Sequence, residues 1–227
     1  MSKADSCTIK RRAATRLREK NTNVVTVAAG QSLLAHLTLI LENATEASDI
    51  AVLLCALAVV SGRRSTELLN GRSTFQAIPE KPTLALFEGQ LKTKSDTPRP
   101  YVIPLCCNFD TFSRGLHALR AIQHHDGGVA HLTNTEVSDR YRWITISTIP
   151  ELGSQLANVH ALRSLYIALI YDNLYECPSS FNETARVCLG HKELTESLHY
   201  VGVRVRGCEE IRHEFGKLEL LALTSPH

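Results

Sequence analysis

The chain has 227 residues, 44% hydrophobic and 21% charged, with 12 glycines and 8 prolines, which excludes collagen-like, low-complexity and wholly disordered chains. Its longest apolar run, Ile50–Val60, is 11 residues, too short for a bilayer span of roughly 20, and no signal-type stretch follows Met1. The formal net charge of +2 hides a basic head, because residues 1–20 carry seven Lys and Arg against two acids. A solvated tail and a phosphate-binding arm both fit that head.

In chain order, residues 1–44 read as a basic tail and linker, within which Gln31–Glu42 can form a short amphipathic helix. A buried helix follows from about Thr45 to Val60, apolar nearly all round, and Ser61-Gly62 ends it. One or two helical turns run from Arg64 to Leu69. The period then changes, and Leu84–Phe87 with Tyr101–Leu105 form a hairpin whose long turn holds Lys92 and Lys94. Asp110 caps a helix to about His125, closed by two glycines, and another helix spans about Asn134 to Trp143. Val159–Leu174 is a helix stopped by Cys177-Pro178, Phe181–Leu189 one ended by Gly190, and Glu193–Tyr200 a last short one. The fold class is α+β, mostly α-helical with a small antiparallel hairpin or sheet. The domains are the tail and linker 1–44, a main domain 45–205, and a C-terminal tail 206–227.

Seven cysteines without a C-x-x-C pair fit reduced thiols better than a disulfide framework or zinc site. Cys55 and Cys188 in particular read as small core hydrophobes. There is no Gly-x-Ser-x-Gly elbow and no Gly-Lys-Ser/Thr loop, so a serine hydrolase and a Walker-type ATPase have little support.

Five segments belong together: Ser61-Gly-Arg-Arg-Ser-Thr-Glu-Leu-Leu69, Gly89-Gln-Leu-Lys-Thr-Lys94, His160-Ala-Leu-Arg163, Leu189-Gly-His191 and His199-Tyr200. Moving a phosphodiester between oxygens needs a nucleophile, cations on the non-bridging oxygens and an acid for the leaving oxygen. Arginine matches two phosphate oxygens and stays charged. A lysine on a hairpin turn can supply the proton, and a histidine can take the tyrosine proton or hold the phosphate. No metal or cofactor is needed.

This ordered set resembles the catalytic domain of tyrosine recombinases over about residues 45–205, including the nine-residue step from His191 to Tyr200. The resemblance implies Arg64, Lys92, His160, Arg163, His191 and Tyr200 as the catalytic residues, with Tyr200 the nucleophile and Lys94 the alternative lysine. The Gly62-x-Arg64-x-x-Glu67 spacing selects Arg64, leaving Arg63 as a DNA-backbone or surface charge. The Leu-Gly turn before His191 is expected to bring a helix N-terminus, favourable to an anion, toward the site. The second His-Ala-Leu-Arg, at 117–120, has no Leu-Gly-His and Tyr at the right distance and reads as structural helix.

Within that family the hairpin is most similar to telomere resolvases, or protelomerases, on Phe87-Glu-Gly-Gln-Leu-Lys-Thr-Lys94 and Tyr101-Val-Ile-Pro104. His160, by contrast, matches ordinary integrases, and the chain has little room for a DNA-clamping domain before residue 45. The implied function is DNA breakage and rejoining through a 3′-phosphotyrosyl intermediate, forming closed hairpin ends. Site-specific recombination is the alternative, and a non-catalytic DNA-binding relative the third possibility. The implied partners are double-stranded DNA bearing an inverted repeat and at least a second copy of the chain. The apolar set Ile211, Phe215, Leu218, Leu221 and Leu223 packs internally or against that copy. The expected location is the cytoplasm, or the nucleus of a eukaryotic host.

Overall fold

One helix, apolar nearly all round, organises the centre of the molecule. The structure, a computed structural model, describes residues 25–69, 71–91, 99–125 and 159–218. Strand β1 (Val25–Val27) leads into α1 (Gly30–Glu42), which buries Leu33, Leu34, Leu37 and Leu41. Helix α2 (Ile50–Ser61) is buried from Leu53 to Ser61 without a break. It starts five residues after the expected Thr45, because the Asp49 carboxylate accepts hydrogen bonds from Ala51 N (2.7 Å) and Val52 N (3.2 Å) and so caps the first turn. Burying each Leu or Val of such a helix stabilises by about 1.5–3 kcal/mol.

A short helix α3 (Ser65–Leu69) follows, then strands β2 (Thr74–Ala77), β3 (Leu84–Glu88) and β4 (Tyr101–Pro104). They form an antiparallel sheet in the order β2-β3-β4, pairing Phe75 with Phe87 and Phe87 with Tyr101. The expected hairpin is therefore present with one further strand, β2. Helix α4 (Phe109–His125) and helix α5 (Val159–Ala168) both pack on α2. The His117–Arg120 repeat lies within α4, where Arg120 Nη2 donates to Ser73 O at 2.7 Å, the structural role expected of it. The helix expected at 134–143 lies outside the described residues.

The end of α5 widens into a π-helical stretch, Leu169–Leu174, instead of continuing as α-helix to Leu174. The widened turn has a use. Asp172 pairs with Arg204 at 2.6 Å, and Asn173 Nδ2 donates to Val205 O at 2.9 Å. Both contacts hold β5 (Val203–Val205), which pairs in parallel with β1 through Val25 and Val203. Residues 25–44, placed by sequence with the tail and linker, thus carry a strand and a helix joined to the core, and the boundary at 45 separates α1 from its packing partner α2.

Helix α6 (Phe181–Leu189) has the expected bounds, with the Ser180 hydroxyl accepting from Glu183 N and Gly190 in the left-handed conformation at its end. A short 3₁₀ helix, Leu194–Tyr200, carries the chain to β5, and a second, Glu209–Glu214, follows it. Ile211, Phe215 and Leu218 pack on the chain's own core, with Leu218 buried and the Phe215 ring 5.4 Å from Tyr175. Leu221 and Leu223 lie outside the described residues. Cys55 and Cys188 are core residues. No helix among the described residues is long and apolar enough to cross a membrane.

Candidate active site

The site forms where three chain turns meet. The first is the end of α2. Gly62 takes φ 66° and lies against the Tyr166 ring, so the chain reverses with no side chain in the way. The two arginines that follow diverge.

Arg63 points inward and is fully buried. Its guanidinium donates to the Tyr101 hydroxyl, to Cys188 O at 2.6 Å and to Ser61 O at 3.2 Å, and lies over the Phe87 ring at 5.0 Å. Burial opposes its charge, but Tyr101 and Glu67 more than offset that and its pKa is raised. The expectation of a DNA-backbone or surface charge is therefore corrected. Arg63 ties the α2 turn, β4 and the end of α6 together, because those buried oxygens need a donor.

Arg64 stays partly exposed. Its Nη1 donates to Glu67 Oε1 at 2.7 Å and to Leu91 O at 3.2 Å. Glu67 is wholly buried, and it also accepts from Arg64 N (2.9 Å) and Leu91 N (3.2 Å). Burial would raise its pKa, but Arg63, Arg64 and Arg163 outweigh that and hold it below the usual carboxylate range. By sequence Glu67 is only one letter of a motif; in the fold it fixes Arg64 and the chain leaving β3.

The second turn is the exit of β3. Gln90 Nε2 donates to Gly190 O at 2.8 Å, fastening this turn to the end of α6. Lys92 and Lys94 lie outside the described residues.

The third turn delivers His191. His191 N donates to Arg186 O (2.8 Å) and Gly190 N to Val187 O (3.1 Å), a glycine-terminated helix end. Gly190 thus closes α6, and His191 stands beyond a helix C-terminus. The expected helix N-terminus at this point is not what the turn provides.

Arg163, from α5, sits at the centre and is 2% exposed. Its Nη1 donates to Gly62 O at 2.9 Å, fixing the guanidinium plane. Its opposite edge faces two groups at once: Nε lies 3.4 Å from the Tyr200 hydroxyl and Nη2 3.5 Å from His191 Nε2. The His191 and Tyr200 rings are 5.5 Å apart. Burial, then Arg64 and Arg63, lowers the Arg163 pKa, although a guanidinium remains charged at neutral pH. Burial, then Arg163, Arg64 and Arg63, pushes His191 down to about 3, so the imidazole is neutral. Of the six sequence candidates, Arg64, Arg163, His191 and Tyr200 are brought together. His160 stands in the first turn of α5, with its side chain outside the described residues.

Residues 23–202 match the family model of the telomere resolvase ResT/TelK catalytic domain. The chain belongs to that family. No curated protein matches it by sequence. In fold, this telomere resolvase catalytic domain is similar to a protelomerase TelA variant covalently complexed with substrate DNA, at TM-score 0.75 and 20% identity, over 90% of this chain and 68% of that one. A second TelA variant, complexed with a DNA hairpin product, gives TM-score 0.73 and 20% identity over 90% and 67%. Protelomerase TelK complexed with substrate DNA gives TM-score 0.68 and 22% identity over 91% of this chain and 43% of that one. The expected mostly helical domain with a small antiparallel sheet is the fold that these structures share.

Proposed function

We propose that this telomere resolvase domain breaks and rejoins duplex DNA with Tyr200 as nucleophile, leaving covalently closed hairpin ends. The observation that carries the assignment is the Arg163 edge. One guanidinium edge, with Nη1 already fixed on Gly62 O, meets the Tyr200 hydroxyl and His191 Nε2 at 3.4 and 3.5 Å. Both contacts are long for hydrogen bonds. A phosphate that takes this edge in the bidentate manner comes to rest beside the phenol oxygen.

In the forward step the Tyr200 oxygen forms a bond to phosphorus, the bond to the 5′ oxygen breaks, and a 3′-phosphotyrosyl link remains. Arg163 and Arg64 neutralise the charge gathering on the non-bridging oxygens. The phenol proton passes to a histidine of the site. His191 is at hand with its Nε2 lone pair, and the arriving phosphodiester anion raises its proton affinity. The leaving 5′ oxygen takes a proton from Lys92, which follows Leu91, the residue bonded to Glu67 and Arg64. His160, one helical turn before Arg163, adds a further contact to the phosphate. Reversal with a folded-back strand as acceptor closes the hairpin.

The substrate is double-stranded DNA with an inverted repeat. Two scissile positions related by symmetry call for at least two copies of the chain. The TelA and TelK relatives are complexed with substrate DNA, one of them covalently, and a further TelA complex holds a hairpin product.

The test is to quench the full chain on an inverted-repeat duplex with detergent, digest it and locate the attached nucleotide by mass spectrometry. The nucleotide is expected on Tyr200. In Tyr200→Phe the adduct should vanish, with DNA affinity within about threefold of wild type, since one long hydrogen bond is removed. An adduct persisting in that variant would overturn the assignment.

A further inference from the structure

We infer that Ser197 is a positioning residue of this site: its hydroxyl holds the His191 ring as the Nδ1–H tautomer and keeps the Nε2 lone pair on the side of Arg163 and Tyr200. Three observations carry this. His191 Nδ1 lies 3.3 Å from Ser197 Oγ, and His191 Nε2 lies 3.5 Å from Arg163 Nη2. A guanidinium can only donate, so Nε2 must accept, and a neutral ring then carries its proton on Nδ1. That proton points at Ser197, whose hydroxyl oxygen can accept it. Ser197 has no solvent exposure and His191 is 8% exposed, so water is a poor rival for the contact.

Ser197 also shares its element with the nucleophile. Both lie on the 3₁₀ helix Leu194–Tyr200, where residues three apart lie one above the other. The short element that presents the Tyr200 hydroxyl to Arg163 therefore presents the ring anchor to His191. A displacement of this helix that carries Tyr200 toward a phosphate shifts the anchor of the histidine with it. Histidine and nucleophile are thus set by one element. The consequence for catalysis rests on Tyr200 being the nucleophile, whereas the tautomer does not.

The experiment uses the full chain with ¹⁵N-labelled histidine. Nitrogen shifts read the His191 tautomer, and single-turnover adduct formation on inverted-repeat DNA reads the rate. Wild type is expected to show the Nδ1–H ring. Ser197→Ala should lose that preference and form adduct about tenfold more slowly with DNA affinity unchanged, the scale of one missing hydrogen bond. Ser197→Thr, which restores a hydroxyl, should recover both. If the alanine variant does not fold, Ser197→Cys, a similar volume with a weak acceptor, gives the same reading. A wild-type ring protonated on Nε2 overturns the inference, as does an alanine variant with unchanged tautomer and rate. An Nδ1–H ring in wild type that Ser197→Ala loses, with no adduct from either chain, would support the role of Ser197 and count against Tyr200 as nucleophile.

Discussion

Replacing Arg63 with methionine asks whether a charge expected at the surface in fact holds the core of the site. Methionine keeps most of the buried stem volume, so the change falls on the guanidinium. Its loss removes donors from the Tyr101 hydroxyl, Cys188 O and Ser61 O, and takes one of three cations from buried Glu67. The Cys188 carbonyl belongs to the last turn of α6, where helix carbonyls have no partner along the helix. Each buried polar group left unpaired costs about 1–3 kcal/mol, and removing one partner of a buried charge cluster costs about 3–5 kcal/mol. We expect about 3–5 kcal/mol in all, since these contributions overlap and do not add. At about 2–4 °C per kcal/mol for a chain of this size, the melting temperature should fall by about 10 °C. Urea unfolding of the full chain, with the slope checked for two-state behaviour, measures the loss. A change within about 0.5 kcal/mol, the range of a solvated surface substitution, would refute the placement of Arg63.

Gly190→Ala would strain a backbone at φ 67° and set a methyl group against Gln90 Oε1 and the Tyr101 hydroxyl. A loss of about 1–3 kcal/mol in the same unfolding assay is expected, and an unchanged midpoint would contradict the turn. His191, held at about 3 in the folded chain against an ordinary value of 6.5, should show no titration of its ring proton shifts between pH 8 and 5. Because the unfolded chain binds that proton first, stability from this residue declines as pH falls from about 6.5 toward 3; His191→Gln should lack that part of the slope. Glu67, held low, contributes stability above the ordinary carboxylate pKa that disappears as pH falls through its own lower value, so Glu67→Gln should flatten the acid limb of the stability curve. Affinity for DNA should drop steeply with salt, and deleting residues 1–20 should reduce the log–log slope by about 0.9 for each phosphate that the head neutralises; an unchanged slope would make the basic head a mere tail.

Local signals account for what the sequence revealed. Helix α6 can be bounded to the residue because Ser180 and Gly190 mark its ends within the same short stretch. The start of α2 is harder to place because the Thr45–Ser48 residues suit a helix, and only the Asp49 cap shows where the first turn begins. Strands β1 and β5 are three residues each and find one another across most of the chain, so no local pattern announces them. Strand β2 has no alternation to read, with one half-buried residue among exposed ones.

The same division holds in the site. The ordered motifs identify Arg64, Arg163, His191 and Tyr200, because each sits at a fixed step from a glycine, a histidine or another site residue. Which of two adjacent arginines turns inward is decided by Tyr101 and Cys188, 38 and 125 residues further on. Spacing around Gly62 cannot supply that. Ser197 carries no sequence signal either, since its importance depends on the ring of His191 and on the donor opposite.

Closure of DNA ends through Tyr200 can be read directly from the products. The most direct measurement incubates the full chain and its Tyr200→Phe variant with a duplex carrying a long inverted repeat, then melts and rapidly cools the products on a denaturing gel. The wild-type chain should make fragments that snap back to duplex after melting, and the variant should make none. Protein–DNA adducts without snap-back ends would contradict hairpin formation and indicate strand exchange between duplexes, and snap-back ends made by the variant would contradict the role of Tyr200.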